Sequence, residues 1–109
     1  MQTIVHVICT KGPSLRESIV KDHKLEDFDL EVSQHLNPNR RNGWAKIHST
    51  LADRRGALNL KWNADARTLL CRVVNRGKGS PEQVLGDFVT YLFRRHLRRI
   101  TAVNIVPPK

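Results

Sequence analysis

The side chains with the clearest chemistry in this 109-residue chain are basic, and they are concentrated in a few short segments. Nineteen Lys and Arg stand against ten Asp and Glu, which gives a net charge of +9. Residues 1–36 carry four basic and six acidic side chains, whereas residues 37–109 carry fifteen and four. Such an uneven distribution creates a surface field that attracts polyanions. We therefore expect a small basic domain that binds nucleic acid, RNA or DNA, through the phosphate backbone and without catalysis.

The densest basic cluster is near the C-terminus, in a predicted helix from Pro81 to Arg98. Three- and four-residue spacing places the ring of Tyr91 among guanidinium groups on the outer face of this helix. Guanidinium groups contact phosphates through their planar fork, and an aromatic ring can stack on an unpaired base. The simpler interpretation is a solvated helix end that the helix dipole favours. The residues predicted to bind nucleic acid, including a pair from the first hairpin loop, are Arg40, Arg41, Tyr91, Arg94, Arg95, Arg98 and Arg99.

Another basic segment, residues 75–80, precedes the start of the same helix. Unpaired backbone N–H groups and the positive end of the dipole attract anions at such a position. Alternate turns of a meander lie at the same end of the sheet. The turn that carries Arg54 and Arg55 is therefore expected beside residues 75–80. The order Gly-Lys-Gly-Ser does not match the phosphate loop of nucleotide hydrolases, and a flexible connection is the alternative. The predicted anion-binding residues are Arg54, Arg55, Arg76, Gly77, Lys78, Gly79 and Ser80.

A cluster of acid and base side chains is predicted on the first hairpin. If Leu36 faces Gly43, three cross-strand pairs lie on the solvent-exposed face of the hairpin: Glu31 with His48, Ser33 with Lys46, and His35 with Trp44. Two histidines, a carboxylate and a lysine within reach of each other could cleave RNA without a metal ion. Ordinary cross-strand surface pairs are the simpler interpretation. The alternative function is thus a metal-independent ribonuclease that uses Glu31, His35, Lys46 and His48.

The predicted site residues must be held in place by the fold. The sequence predicts a single α+β domain over residues 1–106, followed by a disordered tail, residues 107–109. We expect a mixed, mainly antiparallel sheet of about six strands, with the long helix packed on it. Ser14 and Glu17 have the spacing of a capping box and predict a short N-terminal helix. The predicted strands are Thr3–Thr10, a strand from Phe28, Trp44–Ser49, Ala57–Trp62, Arg67–Asn75 and Ile100–Val106.

Two of these strands, Thr3–Thr10 and the Leu69–Val74 part of another, are apolar on both faces, the second except for Arg72, and are expected inside the sheet. Ser80, Pro81 and the polar residues that follow have the pattern of a helix start. A right-handed connection through the helix should lay the last strand parallel to Arg67–Asn75. The apolar stripe expected to face the sheet is Val84, Leu85, Phe88, Val89, Leu92, Phe93 and His96.

Other patterns limit the function classes. Cys9 and Cys71 lack the spacing of a metal or redox motif, and the five histidines form no ligand cluster, so we expect no metal and no cofactor. The apolar stretch near the start is too short for a membrane span or an export signal, which favours a cytoplasmic protein. The last strand is apolar on both faces, so a protein-interaction module or a homodimer through that strand is a third possibility.

Overall fold

The structure is a computed structural model that describes residues 3–35, 44–51, 56–74 and 81–107. It confirms the α+β class, with six strands in one sheet and one long helix packed on it. Short helical pieces, among them two 3-10 helices at His23–Phe28 and Leu97–Arg99, complete the fold. The main elements are β1 (Thr3–Cys9), α1 (Leu15–Val20), β2 (Leu30–His35), β3 (Ala45–Ser49), β4 (Ala57–Asn63), β5 (Thr68–Val74), α2 (Pro81–Arg95) and β6 (Ile100–Val106).

The strand order is β2-β3-β4-β5-β1-β6, and every hydrogen-bonded pair of neighbours is antiparallel. The predicted interior positions of β1 and β5 are confirmed. The expectation of a mixed sheet is wrong in one respect. β6 runs in the same direction as β5, as the crossover through α2 predicts, but β1 lies between them and is antiparallel to both. The insertion of β1 therefore removes the only parallel pair that the sequence predicts.

The helices cover one face of the sheet, and the core lies between the two layers. Alternate residues of each strand point into this core because successive strand residues face opposite sides. From β1, for example, Val5 and Val7 are fully buried, whereas His6 between them is half-buried on the other face. The helical layer contributes the buried side chains of Leu15, Ile19, Leu25, Val84, Phe88, Tyr91 and Leu92 to the core.

Helix α2 starts at Pro81 as predicted but ends at Arg95 rather than Arg98, because residues 97–99 tighten into a 3-10 helix before β6. Its buried face is also rotated relative to the predicted stripe. Phe93 is 48% exposed, whereas Tyr91 is fully buried. The cause is the segment before β2, whose Phe28 ring contacts the Tyr91 ring edge-on with centroids 5.5 Å apart. This contact extends the core to the Tyr91 side of the helix.

Local signals account for the N-terminal part of the helical layer. The predicted short helix is present as α1, and its cap is confirmed because Ser14 Oγ accepts a hydrogen bond from the Glu17 backbone N–H at 3.3 Å. The strand predicted from Phe28 begins only at Leu30. Phe28 belongs to the first 3-10 helix, which ends at Asp29 in the left-handed conformation with φ 61°. An Asp tolerates this conformation better than most residues, so the chain turns into β2 there.

Candidate nucleic-acid interface

The side of the sheet opposite the helices carries the polar side chains of the strands, and we call it the open face. Strand register places Lys46 opposite Asn59, and Asn59 opposite Arg72, so that these side chains form one row across β3, β4 and β5. Lys61 lies in the next row, opposite Leu70. These pairs share a face because directly opposite residues in an antiparallel sheet point the same way. Three basic side chains from three strands are thereby gathered on one surface.

Trp44, just before β3, is half-buried on the open face, and two of these cations lie close to its ring. The guanidinium carbon of Arg72 is 5.0 Å from the centroid of the Trp44 ring, and Lys61 Nζ is 5.5 Å from it. Both distances are within the range in which a cation is attracted by the electron-rich face of an indole. The contacts hold an aromatic ring, a guanidinium and an ammonium together on the sheet surface.

Within the described strands, the charge on this surface is almost entirely of one sign. Three Lys or Arg, namely Lys46, Lys61 and Arg72, occur in the six strands, and all three lie on the open face. The one acidic residue in the strands is Glu31, at the β2 edge, where its Oε1 is 2.7 Å from His48 Nε2. A face with clustered cations and a single paired carboxylate at its edge has the electrostatics that attract an anionic polymer.

The first hairpin is only partly as predicted. The pairs of Glu31 with His48 and of Val32 with Ile47 are confirmed. A bulge after Val32 then shifts the register, so the backbone of Lys46 pairs with Gln34 and that of Ala45 with His35. The predicted pairs of Ser33 with Lys46 and of His35 with Trp44 are therefore wrong. The extra residue of a bulge sends the following side chains to new partners.

Ser33 keeps a contact across the bulge, because its hydroxyl donates a hydrogen bond to the Lys46 carbonyl oxygen at 3.3 Å. The side chain of His35, the fourth member of the predicted ribonuclease set, lies outside the described part of the structure. Glu31, Lys46 and His48 are thus the members of that set that the structure places on the open face.

The arginines at the end of α2 differ in what they contact. Arg94 and Arg98 are exposed. Arg95 makes a bidentate contact with Asp22, with Nε 3.1 Å from Oδ2 and Nη2 3.3 Å from Oδ1. Arg99 donates a hydrogen bond to the Pro13 carbonyl oxygen at 2.8 Å and closes the loop before α1. Half of the predicted helix-end cluster therefore has partners within the protein itself.

Tyr91 is the clearest correction to the predicted site. It is fully buried and not on the outer face of α2, and its hydroxyl donates a hydrogen bond to Asp22 Oδ2 at 2.8 Å. The hydroxyl oxygen of Tyr91 also lies 2.8 Å from His96 Nε2. Because the hydroxyl proton goes to Asp22, His96 Nε2 must carry its own proton and donate to the Tyr91 oxygen. Tyr91 is thus a core residue with a satisfied hydroxyl and is not accessible for stacking on a base.

The network around Asp22 shifts the pKa values of its members. Burial alone would raise the pKa of Asp22, but hydrogen bonds from Arg95, the Lys24 backbone and Tyr91, with the charge of Arg95, lower it to about 2. Burial raises the pKa of Tyr91, and the hydrogen bond to Asp22 adds to the effect. Burial lowers the pKa of His96. The network is therefore fixed as a carboxylate, a neutral phenol and a neutral imidazole near neutral pH.

The remaining predicted site residues lie outside the described residues: Arg40, Arg41, Arg54, Arg55, Arg76, Gly77, Lys78, Gly79 and Ser80. The described residues that flank these segments show whether the segments lie at the same end of the sheet, as the sequence predicts. A Cβ on Gly56 would be 3.5 Å from both the Val74 carbonyl oxygen and the Pro81 Cα. The residues that flank segments 52–55 and 75–80 therefore meet at one end of the sheet. The end of β2 and the start of β3 lie at the opposite end, with the start of β6.

Sequence reasoning placed Trp44 in a hairpin pair and gave Lys61 and Arg72 no function. The signal that would have found this cluster is the alternation of β4 and β5 about the turn at residues 64–67. Counting outward from that turn pairs Lys61 with Leu70 and Asn59 with Arg72. Aligning β3 onto β4 in the same way then adds Lys46 and Trp44.

No protein family, curated protein or solved structure matches this chain. Within residues 3–35, 44–51, 56–74 and 81–107, no group of three or more His, Cys, Asp or Glu is placed to hold a metal ion. In the same part of the chain, no helix has the length and apolar character needed to span a membrane. The cytoplasmic location stays a prediction.

Proposed function

We propose that this protein binds single-stranded nucleic acid on the open face of its sheet. The observation that carries the proposal is the cluster of Trp44, Lys61 and Arg72 on a surface whose one carboxylate in the described strands, Glu31, is paired with His48 at the β2 edge. Single-strand binding surfaces combine aromatic side chains, on which bases stack, with cations that follow the backbone. The open face has both kinds of group within one cluster.

The geometry supports a division of roles within the cluster. The guanidinium of Arg72 is held beside the indole of Trp44, and both planar groups can stack on a base. Lys46 and Lys61 carry point charges suited to phosphates. Lys46 and Arg72 are two strands apart in one row, or about 10 Å at the usual strand spacing. A single strand that crosses β3, β4 and β5 would stack a base on Trp44 or Arg72 and place phosphates near Lys46 and Lys61.

An unpaired strand is favoured over a duplex because the cluster offers planar surfaces. The faces of the bases inside a duplex are already stacked on each other, so an aromatic ring on a protein surface cannot reach them. In a single strand a base can be splayed out and stacked on the ring, which contributes about 1–3 kcal/mol. The chemical nature of Trp44 therefore predicts a preference that charge alone would not produce.

The helix-end arginines remain a second predicted contact. Arg94 and Arg98 are exposed and project from the helical layer. They carry the same number of charges as Lys61 and Arg72 but lie in the layer on the other side of the sheet, and the aromatic side chain predicted beside them, Tyr91, is buried. These two pairs of residues therefore provide matched variants that separate the two surfaces.

The test is fluorescence anisotropy with labelled single-stranded and duplex oligonucleotides over a salt series. For single strands, the two phosphate contacts of Lys46 and Lys61 predict a log-log slope of about −1.4 in the apparent binding constant. The double variant Lys61→Ala/Arg72→Ala should weaken binding at least tenfold and make this slope shallower. The matched double variant Arg94→Ala/Arg98→Ala, which removes the same charge, should bind nearly as the wild type does.

Two further outcomes decide between the sites. If the helix-end double variant loses the affinity and the sheet variant keeps it, the open-face site is wrong and the sequence-predicted site is supported. Trp44→Leu should reduce affinity for single strands while leaving the weaker duplex binding unchanged. An equal loss for both nucleic acids would remove the stacking role.

A second candidate function, RNA cleavage, is favoured by the 2.7 Å contact between Glu31 and His48 on the same face. The carboxylate orients the imidazole by binding Nε2 and leaves Nδ1 directed elsewhere. His48 could then take the proton of a ribose 2′-hydroxyl, whose oxygen attacks phosphorus and forms a cyclic phosphate. The released 5′-oxygen takes a proton from water, and Lys46 stabilises the charge on the phosphorane.

Labelled RNA tests this candidate directly. Wild-type protein should produce fragments ending in cyclic phosphate, and His48→Ala should abolish them without changing the affinity for a DNA strand of the same sequence. Glu31→Gln should lower the rate by less than His48→Ala, because it changes only the orientation of the imidazole. RNA that stays intact with wild-type protein excludes the activity.

A further inference from the structure

The two edges of the sheet, β2 and β6, differ in how far they are protected against pairing with another strand. An edge strand presents a row of unpaired backbone N–H and C=O groups, and proteins usually block it with charges, bulges or proline. β2 carries the charged Glu31 and is interrupted by the bulge after Val32. Seven uncharged residues, Ile100–Val106, form β6, and they contain no proline; its one register shift against β1 lies at its start, between Ile100 and Ala102.

The C-terminal half of β6 is regular and, apart from Asn104 on the open face, apolar. Its register to β1 is unbroken from Ala102 to Val106. Ile105 on the helix side and Val106 on the open face are 49% and 45% exposed, and they are two of the four large hydrophobic residues exposed in the described part of the chain. A strand of this kind has both the backbone groups and the apolar area that a neighbouring strand would cover.

We infer that two copies of this protein pair through antiparallel β6 strands related by a twofold axis at Asn104. In this register Val103 lies opposite Ile105 on the helix side, and Ala102 lies opposite Val106 on the open face. The Asn104 side chains meet at the axis, where their amides can donate and accept hydrogen bonds reciprocally. A twofold interface must be self-complementary in this way.

The neighbouring register is less favourable. An axis at Val103 would place Ala102 opposite Asn104 and Thr101 opposite Ile105, which sets a polar side chain against an apolar one in both pairs. Matched apolar pairs across antiparallel strands are stabilising, so the axis at Asn104 is preferred. Pro107 then limits the pairing at both ends because it has no backbone N–H to donate.

Pairing through β6 does not depend on nucleic-acid binding, but it would extend the open face. A twofold axis perpendicular to the sheet keeps the open faces of both copies on the same side, in one twelve-stranded sheet. The two Arg72 residues would then lie five strand spacings, or about 24 Å, apart across the sheet, with an offset of about 13 Å along the strands. A long single strand could contact both basic clusters, whereas a short one could contact only one of them.

The test is the molar mass of the full chain in solution, measured by light scattering over a concentration series. Wild-type protein should reach the mass of two chains as its concentration rises. Ile105→Lys puts a charge in the paired edge and should shift the midpoint of dimerisation to at least tenfold higher concentration. Ser33→Lys, the matched change on the other edge strand, should leave the midpoint unchanged. A monomer at every concentration, or a dimer that Ile105→Lys leaves intact, would overturn the inference.

Cross-linking tests the register without disturbing the edge. Facing residues of antiparallel strands have Cα atoms about 4.5–5.5 Å apart, which is within the range that a disulfide requires. Asn104→Cys should therefore give a covalent dimer on mild oxidation. Thr101→Cys should not, because its two copies would be about 20 Å apart. Cys9 and Cys71 do not interfere, since both are buried. Failure of the Asn104→Cys protein to cross-link, with a dimer present, would refute the proposed axis.

Discussion

Asp22 should make a large contribution to stability that is lost in acid. Its side chain is 8% exposed, and it accepts hydrogen bonds from Tyr91, the Lys24 backbone and Arg95. These bonds and the charge of Arg95 hold the pKa of Asp22 at about 2, against an ordinary value of 3.8. The difference corresponds to about 2 kcal/mol of folding free energy at neutral pH.

The sign follows from proton binding. Since the pKa is lower in the folded state, the unfolded chain binds more protons between the two values, and acid favours unfolding. The contribution of Asp22 is complete above about pH 4 and is lost as the pH falls toward about 2. His96 adds a loss of stability that begins at a higher pH than that of Asp22. Burial lowers its pKa, so the folded state loses stability as the pH falls below the ordinary value of 6.5.

Urea denaturation of wild type and Asp22→Asn at a series of pH values separates these effects. The variant should be less stable by about 2 kcal/mol at neutral pH, because Arg95 loses its partner, and the two curves should converge near pH 2. Tyr91→Phe is the control. It removes one hydrogen bond but keeps the carboxylate, so it should cost about 1 kcal/mol and keep most of the acid dependence. A constant difference between wild type and Asp22→Asn at every pH would refute this reasoning.

Three other properties follow from the packing. In a Trp62→Phe background, Trp44 is the only tryptophan, and its fluorescence should be quenched by a single strand but not by an equal charge of polyphosphate; identical quenching would argue against stacking. Phe88→Ala should reduce the unfolding free energy by about 3–5 kcal/mol, measured by urea denaturation, because Phe88 is fully buried under α2. The thiol of Cys71 is fully buried and its pKa is raised by burial, so a chromogenic disulfide reagent should modify it at the rate of unfolding. Rapid modification in native buffer would contradict its place in the core.

Local patterns were sufficient for much of the fold. Pro81 marks the start of α2 because its preset φ and missing N–H suit the first helical turn. β1 and β5 are interior, as their largely apolar faces predict, with His6 and Arg72 as the exceptions on the open face. What failed depended on distant partners. Tyr91 is buried because it finds an acceptor in Asp22, 69 residues earlier in the chain, and the periodicity of α2 cannot show such a partner.

The same limit applies to the candidate site. The sequence shows how many arginines lie close together along the chain. A binding surface depends instead on which of those charges have no partner inside the fold. At the end of α2, Arg95 is neutralised by Asp22 and Arg99 is tied to a loop carbonyl. On the open face, by contrast, Lys61 and Arg72 contact an indole, which orders them without cancelling their charge. Two ordered charges beside an aromatic ring therefore make a better site for a single strand than four arginines of which two are already engaged.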